Sequence, residues 1–466
     1  MSLLEQIIVV AFLVYGLLAT GAYLCLNLLA LDALKKIRNR HPVRNSEAHL
    51  TGMEPPISVI VPAYNEGMTI VSSLQSILQL DYPGMEIVVV NDGSTDNTME
   101  VLLRAFDFEL FPEAKRLSID CKPIRNVYLS KRLNQLRLID KDNGGKADAI
   151  NAGINLSRSP LFCCIDADSL LEPNSLARIV QPFVINRGVM ASGGSVRVVN
   201  GCAVKSGNVV RRRPPKNWLA LFQYAEYIRS FLFGRLGWAR IHGLMIISGA
   251  FGVFHKEQVI KTGGYMTGTI GEDMELILRM YKMVAREGRD KKLVEFVPDA
   301  VCWTEAPENL KVFGSQRKRW HRGLSESLEN NRELLFNRNS GTVGWLAYPF
   351  FALIEWLSPF IELFGYVFTA YLLIFQKVTL VDAGLLMGFA VLLSSFISML
   401  GLFLDQLMFP GSVRVRDIPR LVLVSILECF GYRQLNMIYK IQGAYGWMTR
   451  TRSHWGEMTR VGFGQK

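Results

Sequence analysis

Leu161-Phe162-Cys163-Cys164-Ile165-Asp166-Ala167-Asp168-Ser169 is an apolar run of strand length that stops at two carboxylates one small residue apart. A short continuous apolar run is how a strand buried on both faces of a sheet reads. In an open α/β sheet, ligands bind at the carboxyl ends of such strands. Two acids at that place suit a hard divalent cation, which prefers oxygen ligands. Taken alone, the pair reads more readily as an acidic turn, because aspartate favours turns. Cys163 and Cys164, adjacent on a strand, point to opposite faces and read as small, reduced core residues.

Outward from this stretch, strand and helix patterns alternate. Ile57-Ser58-Val59-Ile60-Val61-Pro62 reads as a strand, followed by Asn65-Glu66-Gly67 and a helical run to Leu80. Glu86 to Val90 is a second strand, ending in Asn91-Asp92-Gly93. Ser94 or Thr95 is placed to cap a helix running to about Phe106. Asn126 to Ser130 is a third strand, and Gly144-Gly145-Lys146 opens a helix to Leu156. Leu161 to Ile165 is then the fourth. This alternation implies a parallel sheet with helices on both faces. Beyond it, Val189 to Asn200 is extended, Trp218 to Phe233 helical, and Ser248 to Phe254 extended and broken by glycine. Glu272 to Ala285 and Glu308 to Asn330 are helical.

The ends of the chain differ from its middle. Half of the 466 residues are hydrophobic and the mean hydropathy is +0.19, high for a soluble enzyme. The excess sits at the start and after Gly341. Ile7 to Leu31 is long enough to span a bilayer. Only Glu5 precedes it and Lys35, Lys36, Arg38 and Arg40 follow it, the reverse of a cleaved signal. The same asymmetry puts residue 35 onward in the cytoplasm. The expected organisation is a transmembrane helix over 1–34, a linker over 35–56, a water-facing domain over 57–335, interfacial and transmembrane helices over 341–440, and a basic tail over 441–466. Three apolar segments follow Gly341: Val343–Phe375, Leu380–Leu404 and Ile418–Tyr439. The first holds Pro349, Glu355, Pro359 and Glu362 and reads as an interfacial helix followed by a crossing one. Three crossings would leave the tail outside, whereas Arg450, Arg452, Arg460 and Lys466 prefer the inside. Either Val343–Phe375 crosses twice or the last segment is re-entrant.

The net charge is +11. Its clusters fit anionic membrane lipids, and with no recognition motif present nucleic acid is not an expected partner. Arg211-Arg212-Arg213 reads as a surface loop against lipid head groups. The seven cysteines form no C-x-x-C pair and the six histidines no metal-ligand spacing.

Pro62-Ala63-Tyr64-Asn65-Glu66 and Val90-Asn91-Asp92-Gly93-Ser94 follow the first two strands and set polar groups at the sheet's carboxyl edge. Thr269-Ile270-Gly271-Glu272-Asp273 places acids at the start of a helix, where negative charge is favoured in any case. Gln316-Arg317-Lys318-Arg319-Trp320 lies on a helix whose positions 316, 319, 320 and 323 share a face. This order of motifs resembles the family 2 glycosyltransferases over roughly residues 55 to 330. It is most similar to their membrane-embedded processive branch: poly-N-acetylglucosamine, hyaluronan, chitin and cellulose synthases.

The resemblance implies an α/β fold of the GT-A (nucleotide-diphospho-sugar transferase) type, with a mostly parallel sheet flanked by transmembrane and interfacial helices. It implies that Ala63, Tyr64 and Glu66 line the uracil and ribose pocket of a UDP-sugar donor, with Asp92 on the uracil. Lys146, after two glycines, would meet the diphosphate or nearby acids. Asp168 would hold Mg2+ or Mn2+ against the diphosphate, with Asp166 turned toward the donor. Asp273 would be the general base of an inverting displacement, supported by Glu272. Arg319 would pair with the diphosphate, and Gln316, Trp320, Ser248 and Gly249 would meet the acceptor. Glu305 in Thr304-Glu305-Ala306-Pro307 would support the site. The helix carrying Trp218, Tyr224 and Phe231 would flank the acceptor or, more simply, pack in the core. The implied acceptor is a growing β-linked polysaccharide at the cytoplasmic membrane face, with room for an accessory membrane or periplasmic subunit. A single transfer to a lipid carrier is the alternative. N-acetylglucosamine and glucose are both open as the sugar, with Gln316–Gly323 closer to the poly-N-acetylglucosamine branch. An inactive scaffold would have lost an acid among Asp92, Asp168 and Asp273, and all three stand.

Overall fold

The computed structural model describes residues 2–40, 54–112, 117–205, 207–287 and 293–450. Most of the expected linker (41–53) and of the basic tail (451–466, with Arg452, Arg460 and Lys466) lies outside them.

Twelve strands form in chain order: β1 (Ile57–Ala63), β2 (Met85–Asp92), β3 (Phe108–Leu110), β4 (Ile124–Ser130), β5 (Leu136–Lys141), β6 (Leu161–Ile165), β7 (Leu170–Leu171), β8 (Val189–Val198), β9 (Ala203–Lys205), β10 (Asn208–Arg211), β11 (Phe251–His255) and β12 (Leu293–Thr304). Ten make one sheet in the order β3-β4-β5-β2-β1-β6-β11-β8-β12-β7, and β9 with β10 forms a separate hairpin. Its centre, β5-β2-β1-β6, is parallel throughout. β11 enters antiparallel beside β6, and β8 and β12 are again parallel to each other. The Leu161–Ile165 run is therefore the sixth strand. β5 (Leu-Arg-Leu-Ile-Asp-Lys) escapes a reading by apolar runs because charged residues interrupt it, yet all six of its residues are buried.

Alternation along the central strands splits the core into two layers. Ile60, Val88, Val90, Ile139, Phe162 and Cys164 pack on one face with Ala149, Ile150 and Ile154 of the Lys146–Leu156 helix. Val59, Val61, Val89, Leu138, Cys163 and Ile165 pack on the other, with the helices Ile70–Leu78, Thr98–Phe106 and Ser175–Ile185. The adjacent cysteines do face opposite ways. Each fully buried aliphatic side chain here contributes about 1.5–3 kcal/mol. The Thr98–Phe106 helix starts later than Ser94 or Thr95: Asp96 accepts from the Thr98 amide at 3.0 Å, while Ser94 and Thr95 bond to Asn65.

Among the described residues, three helices are long and apolar enough to cross a membrane: Leu3–Ile37, Val343–Ile374 and Leu380–Met408. Val343–Ile374 is one helical stretch, wound with π turns up to Trp356, rather than a hairpin. The expected third segment is a bent helix pair, the form of a broken span or of the re-entrant alternative. Val415–Leu427 and Tyr432–Met448 meet at a 52° bend, and the second helix lies along the catalytic-side helix Leu310–Asn330. Trp447 Nε1 donates to Glu329 Oε2 at 2.9 Å there, and the Phe313 and Tyr439 rings meet edge to face. Arg212 is not a free loop charge either: it pairs with Glu172 at 2.7 Å and lies over the Trp303 ring.

Candidate active site

Because β1, β2, β5 and β6 run parallel, they end on one edge of the sheet. Ala63 lies beside Asn91, and Asp92 beside Lys141. β11 runs the other way, so its first residue, Phe251, lies opposite Ile165. That register sets Ser248-Gly249 beside Asp166-Ala167-Asp168. Ala63, Tyr64, Glu66, Asp92, Lys146, Asp166, Asp168, Ser248 and Gly249 thus all fall at or near this edge, although they span much of the chain.

At the centre, the Lys146 ammonium forms an ion pair with Asp166 and donates to the Gly249 carbonyl at 3.3 Å. The Gly249 amide donates to Asp273 Oδ2 at 3.2 Å. A β-carbon on Gly249 would lie 3.3 Å from Lys146 Nζ and 3.7 Å from Asp273 Cβ. A side chain there would press on the lysine end by a few tenths of an ångström and meet the aspartate at ordinary contact distance. Burial works against the charge on Lys146, but Asp166, Glu272 and Asp273 outweigh it and hold its pKa above the usual lysine range. For Glu272, burial pushes the carboxyl up to about 7; Lys146 pulls it down, and Asp273 and Asp166 add repulsion. Burial lowers the pKa of Arg319, against the pull of Glu272 and Asp166. These five groups share one field.

Asp92 sits deeper than the other acids. Its Oδ1 accepts from Lys141 Nζ at 2.6 Å and from the Gly144 amide at 3.0 Å, and its Oδ2 from the Gly145 amide at 2.7 Å. It ties the Gly144-Gly145 turn to β2 and so aims Lys146 at the centre. Lys141, fully buried and shared between Asp92 and Asp148, escapes a motif search. Its only sequence signal is a lysine ending a strand next to two glycines. On the outer rim, Asn65 stitches the first two loops: its Oδ1 accepts from the Thr95 amide at 2.8 Å, and Glu66 Oε2 accepts from Thr69 at 2.6 Å. Tyr64 is left 48% exposed at that rim, free to meet a ligand face.

The Leu310–Asn330 helix touches the Thr269–Asp273 segment backbone to backbone. A β-carbon on Gly323 would lie 2.8 Å from Gly271 Cα, and one on Gly271 would lie 2.7 Å from the Gly323 carbonyl oxygen. Glu326 Oε2 accepts from Thr269 Oγ1 and from the Ile270 amide, both at 2.9 Å. Ser327 Oγ donates to the Gly271 carbonyl at 3.3 Å. Gly323, Glu326 and Ser327 therefore fix where Asp273 stands. Glu326 and Ser327 lie past the Gln-x-x-Arg-Trp motif and escape its reading.

On the same helix, Gln316 is buried, Arg319 half-buried, and Trp320 40% exposed. Trp320 meets Phe231 edge to face at 5.8 Å and Tyr227 at 6.3 Å. Tyr224 on the preceding helix is a core residue, whereas Phe231 joins the aromatic group around Trp320. Lys318 is exposed, over the Tyr439 ring. Arg317 departs from its position inside the motif. It is buried, paired with Glu226, and held against the Phe313 and Trp320 rings at 4.8 and 4.5 Å.

For a metal, the donor set is the test. Among the described residues no three His, Cys, Asp or Glu side chains converge on one point. Asp166 and Asp168 are half-buried, with buried Ala167 between them. Two hard carboxylates on a rim suit Mg2+ or Mn2+, which takes one or two protein carboxylates and fills its shell with phosphate oxygens and water. They do not suit a closed structural site.

Known proteins match this geometry. The family model "Glycosyl transferase family 2" matches residues 58–226, and "Glycosyl transferase family group 2" matches residues 161–404. The chain is 26% identical over 273 residues to a poly-beta-1,6-N-acetyl-D-glucosamine synthase of Staphylococcus epidermidis, across 58% of this chain and 55% of the relative. It is also 26% identical over 273 residues to the corresponding synthase of Staphylococcus aureus. The chain spans about half the length of the curated relatives it matches. Among solved structures, a mannosyltransferase from Pyrobaculum calidifontis in complex with GDP-Man and Mn2+ superposes with a TM-score of 0.58 at 18% identity, covering 95% of this chain and 100% of that one. This likeness shows the fold: a GT-A sheet with apolar helices beside it.

Proposed function

The chain belongs to glycosyl transferase family group 2, and on that premise we propose that it is an inverting, metal-dependent polysaccharide synthase. Its donor would be a UDP-sugar, UDP-N-acetylglucosamine ahead of UDP-glucose, and its acceptor the end of a growing β-linked chain. One observation carries the reading. Asp273 stands between two unlike surroundings: the Lys146–Asp166 pair on one side, through Gly249, and the helix bearing Trp320 on the other, through Gly271 and Gly323. Cation and carboxylates suit a nucleotide diphosphate, and an aromatic group suits a sugar ring.

In this reading Ala63, Tyr64, Glu66 and Asp92 border the base and ribose. Lys146 and Arg319 bind the diphosphate and hold its charge as the sugar leaves. A Mg2+ or Mn2+ ion on Asp168, when bound, would neutralise part of that charge. Asp273 takes the proton from the attacking hydroxyl, on the face opposite the leaving group. Trp320 supplies a plate for the acceptor ring, with Gln316, Ser248 and Gly249 around it. A single displacement needs no covalent nucleophile.

The apolar helices would hold the protein in the cell membrane, with the catalytic domain on the cytoplasmic side. Val343–Ile374 and Leu380–Met408, each long and apolar enough to cross, would be two spans after that domain and would return the chain to the side it left. The 415–448 pair would then lie at the interface, which satisfies the basic tail.

The test is a donor screen. The purified full chain, with Mg2+ or Mn2+, is offered UDP-sugars and GDP-mannose; nucleotide release is measured and products are sized on a gel. UDP release from UDP-N-acetylglucosamine with a long product is expected. A short glycolipid as the sole product would sink the polymer reading, and no nucleotide release from any donor would sink the activity.

A further inference from the structure

Four arginines are buried among the described residues: Arg137, Arg197, Arg235 and Arg317. Three have an acceptor: Arg137 the Leu156 carbonyl, Arg197 the Asp405 carboxylate and Arg317 the Glu226 carboxylate. Arg235 is 5% exposed and has neither a hydrogen-bond acceptor nor a carboxylate partner among the described residues. Its guanidinium lies over the Phe231 ring at 4.4 Å. None of its nitrogens is sealed from solvent, so this largely buried cation is open to an acceptor that a ligand brings.

That position is at the acceptor side of the site. Arg235 follows a π-helical turn, Ile228–Gly234, that interrupts the helix begun at Trp218. Such turns are frequent at functional sites, because they swing side chains out of helical register. Phe231 on this turn is the residue that meets Trp320 edge to face, and it meets Tyr227 at 4.4 Å. Arg235 is thus joined through one ring to the aromatic group beside the base. Burial lowers the Arg235 pKa to about 10, and the pull against that comes from Asp273 and Tyr227. The cation faces the field of the base while neutralising no partner of its own.

We propose that Arg235 binds the acceptor: its guanidinium donates to an oxygen of the terminal sugar, a hydroxyl or an N-acetyl carbonyl, and holds that ring against Trp320 with its hydroxyl toward Asp273. The inference rests on the transferase reading above and adds a residue that neither the motifs nor the matched families' names point to. A guanidinium only donates, in a rigid fork, so it selects oxygen acceptors such as a sugar hydroxyl or an N-acetyl carbonyl. The other cations near the centre have different work, with Lys146 on Asp166.

The experiment compares wild type with Arg235→Gln and Arg235→Lys in the full chain, in detergent. Two quantities are read: the KM for a β-linked N-acetylglucosamine oligosaccharide against that for donor, and the direct binding of the same labelled oligosaccharide by anisotropy. Loss of a charged hydrogen bond predicts that Arg235→Gln weakens oligosaccharide binding and raises its KM about tenfold or more. Donor KM should stay within about twofold, and Arg235→Lys should fall between. Unchanged oligosaccharide affinity in both variants would overturn the proposal. So would a shifted pH–rate profile at unchanged acceptor KM, which would make Arg235 a positioning residue for Asp273. If Arg235→Gln does not fold, as read from its thermal midpoint, the same readouts on Arg235→Lys decide. A wild type that releases no nucleotide sinks the transferase reading, while the binding arm still tests Arg235.

Discussion

At the scale of single residues, the site is a balance of charges around Asp273. Asp166 is paired with Lys146, and in the proposed reading the half-buried Asp168 is the carboxylate that serves the cation. Asp168→Asn should therefore abolish metal-dependent donor turnover, measured as nucleotide release across a Mg2+ or Mn2+ titration; near-normal turnover would remove the metal from the account. Glu272 gives a pH prediction. Its carboxyl is raised to about 7 by burial, so between about 4.5 and 7 the folded protein holds a proton that the unfolded chain has lost. Stability should then fall as pH rises through this window, by at most about 3 kcal/mol. Thermal midpoints from pH 5 to 8 should drop in the wild type and flatten in Glu272→Gln; parallel curves would contradict the raised pKa. Much of this scale is legible in the sequence. Asp166, Asp168, Glu272, Asp273 and Arg319 stand in recognisable motifs because their chemistry demands particular residue types at particular spacings. Lys141 and Glu226 are not legible, because each acts through a partner far along the chain, and Arg235 is not, because it stands in no motif.

At the scale of elements, two glycines decide how close the Leu310–Asn330 helix comes to the segment carrying the base. Gly323→Ala would put a methyl group 2.8 Å from the Gly271 Cα. Neither side of that contact is a flexible side chain, so the helix must move, at about 1–3 kcal/mol. The expected outcome is at least a tenfold fall in kcat with UDP binding retained; unchanged kcat would mean that the helix spacing does not set the base. The strand pattern explains what is and is not readable here. β1, β2 and β6 are continuous apolar runs buried on both faces, and they declare themselves. β5 and β12 do not, since Arg137 and Asp140 in one and Pro298 and Asp299 in the other break the run. Their placement is decided by neighbours already in the sheet: β5 by β2, and β12 by β8. The Ile418–Tyr439 segment is readable only in part for a related reason. It is a bent helix pair, and one side of Tyr432–Met448 packs on the Leu310–Asn330 helix, a surface that composition alone cannot distinguish from lipid.

At the scale of the whole molecule, the catalytic sheet and the membrane helices are joined by buried charge. Arg197 on β8 pairs with Asp405 on the Leu380–Met408 helix, and its guanidinium lies over the Phe409 ring at 4.0 Å. Arg197→Met would leave Asp405 buried and unpaired, at about 3–5 kcal/mol. Thermal unfolding in detergent should show that loss, and Arg197→Met with Asp405→Leu should recover most of it; a double variant no better than the single would contradict the pairing. Such a joint fixes the sheet against the apolar Leu380–Met408 helix. The join is invisible in the sequence, since its partners lie 208 positions apart. The most direct test of the account sets the Asp273→Asn variant of the full chain beside the wild type in proteoliposomes, measuring UDP affinity and polymer yield from UDP-N-acetylglucosamine together. The account predicts wild-type UDP affinity with no polymer. Polymer made at the wild-type rate by Asp273→Asn would contradict it.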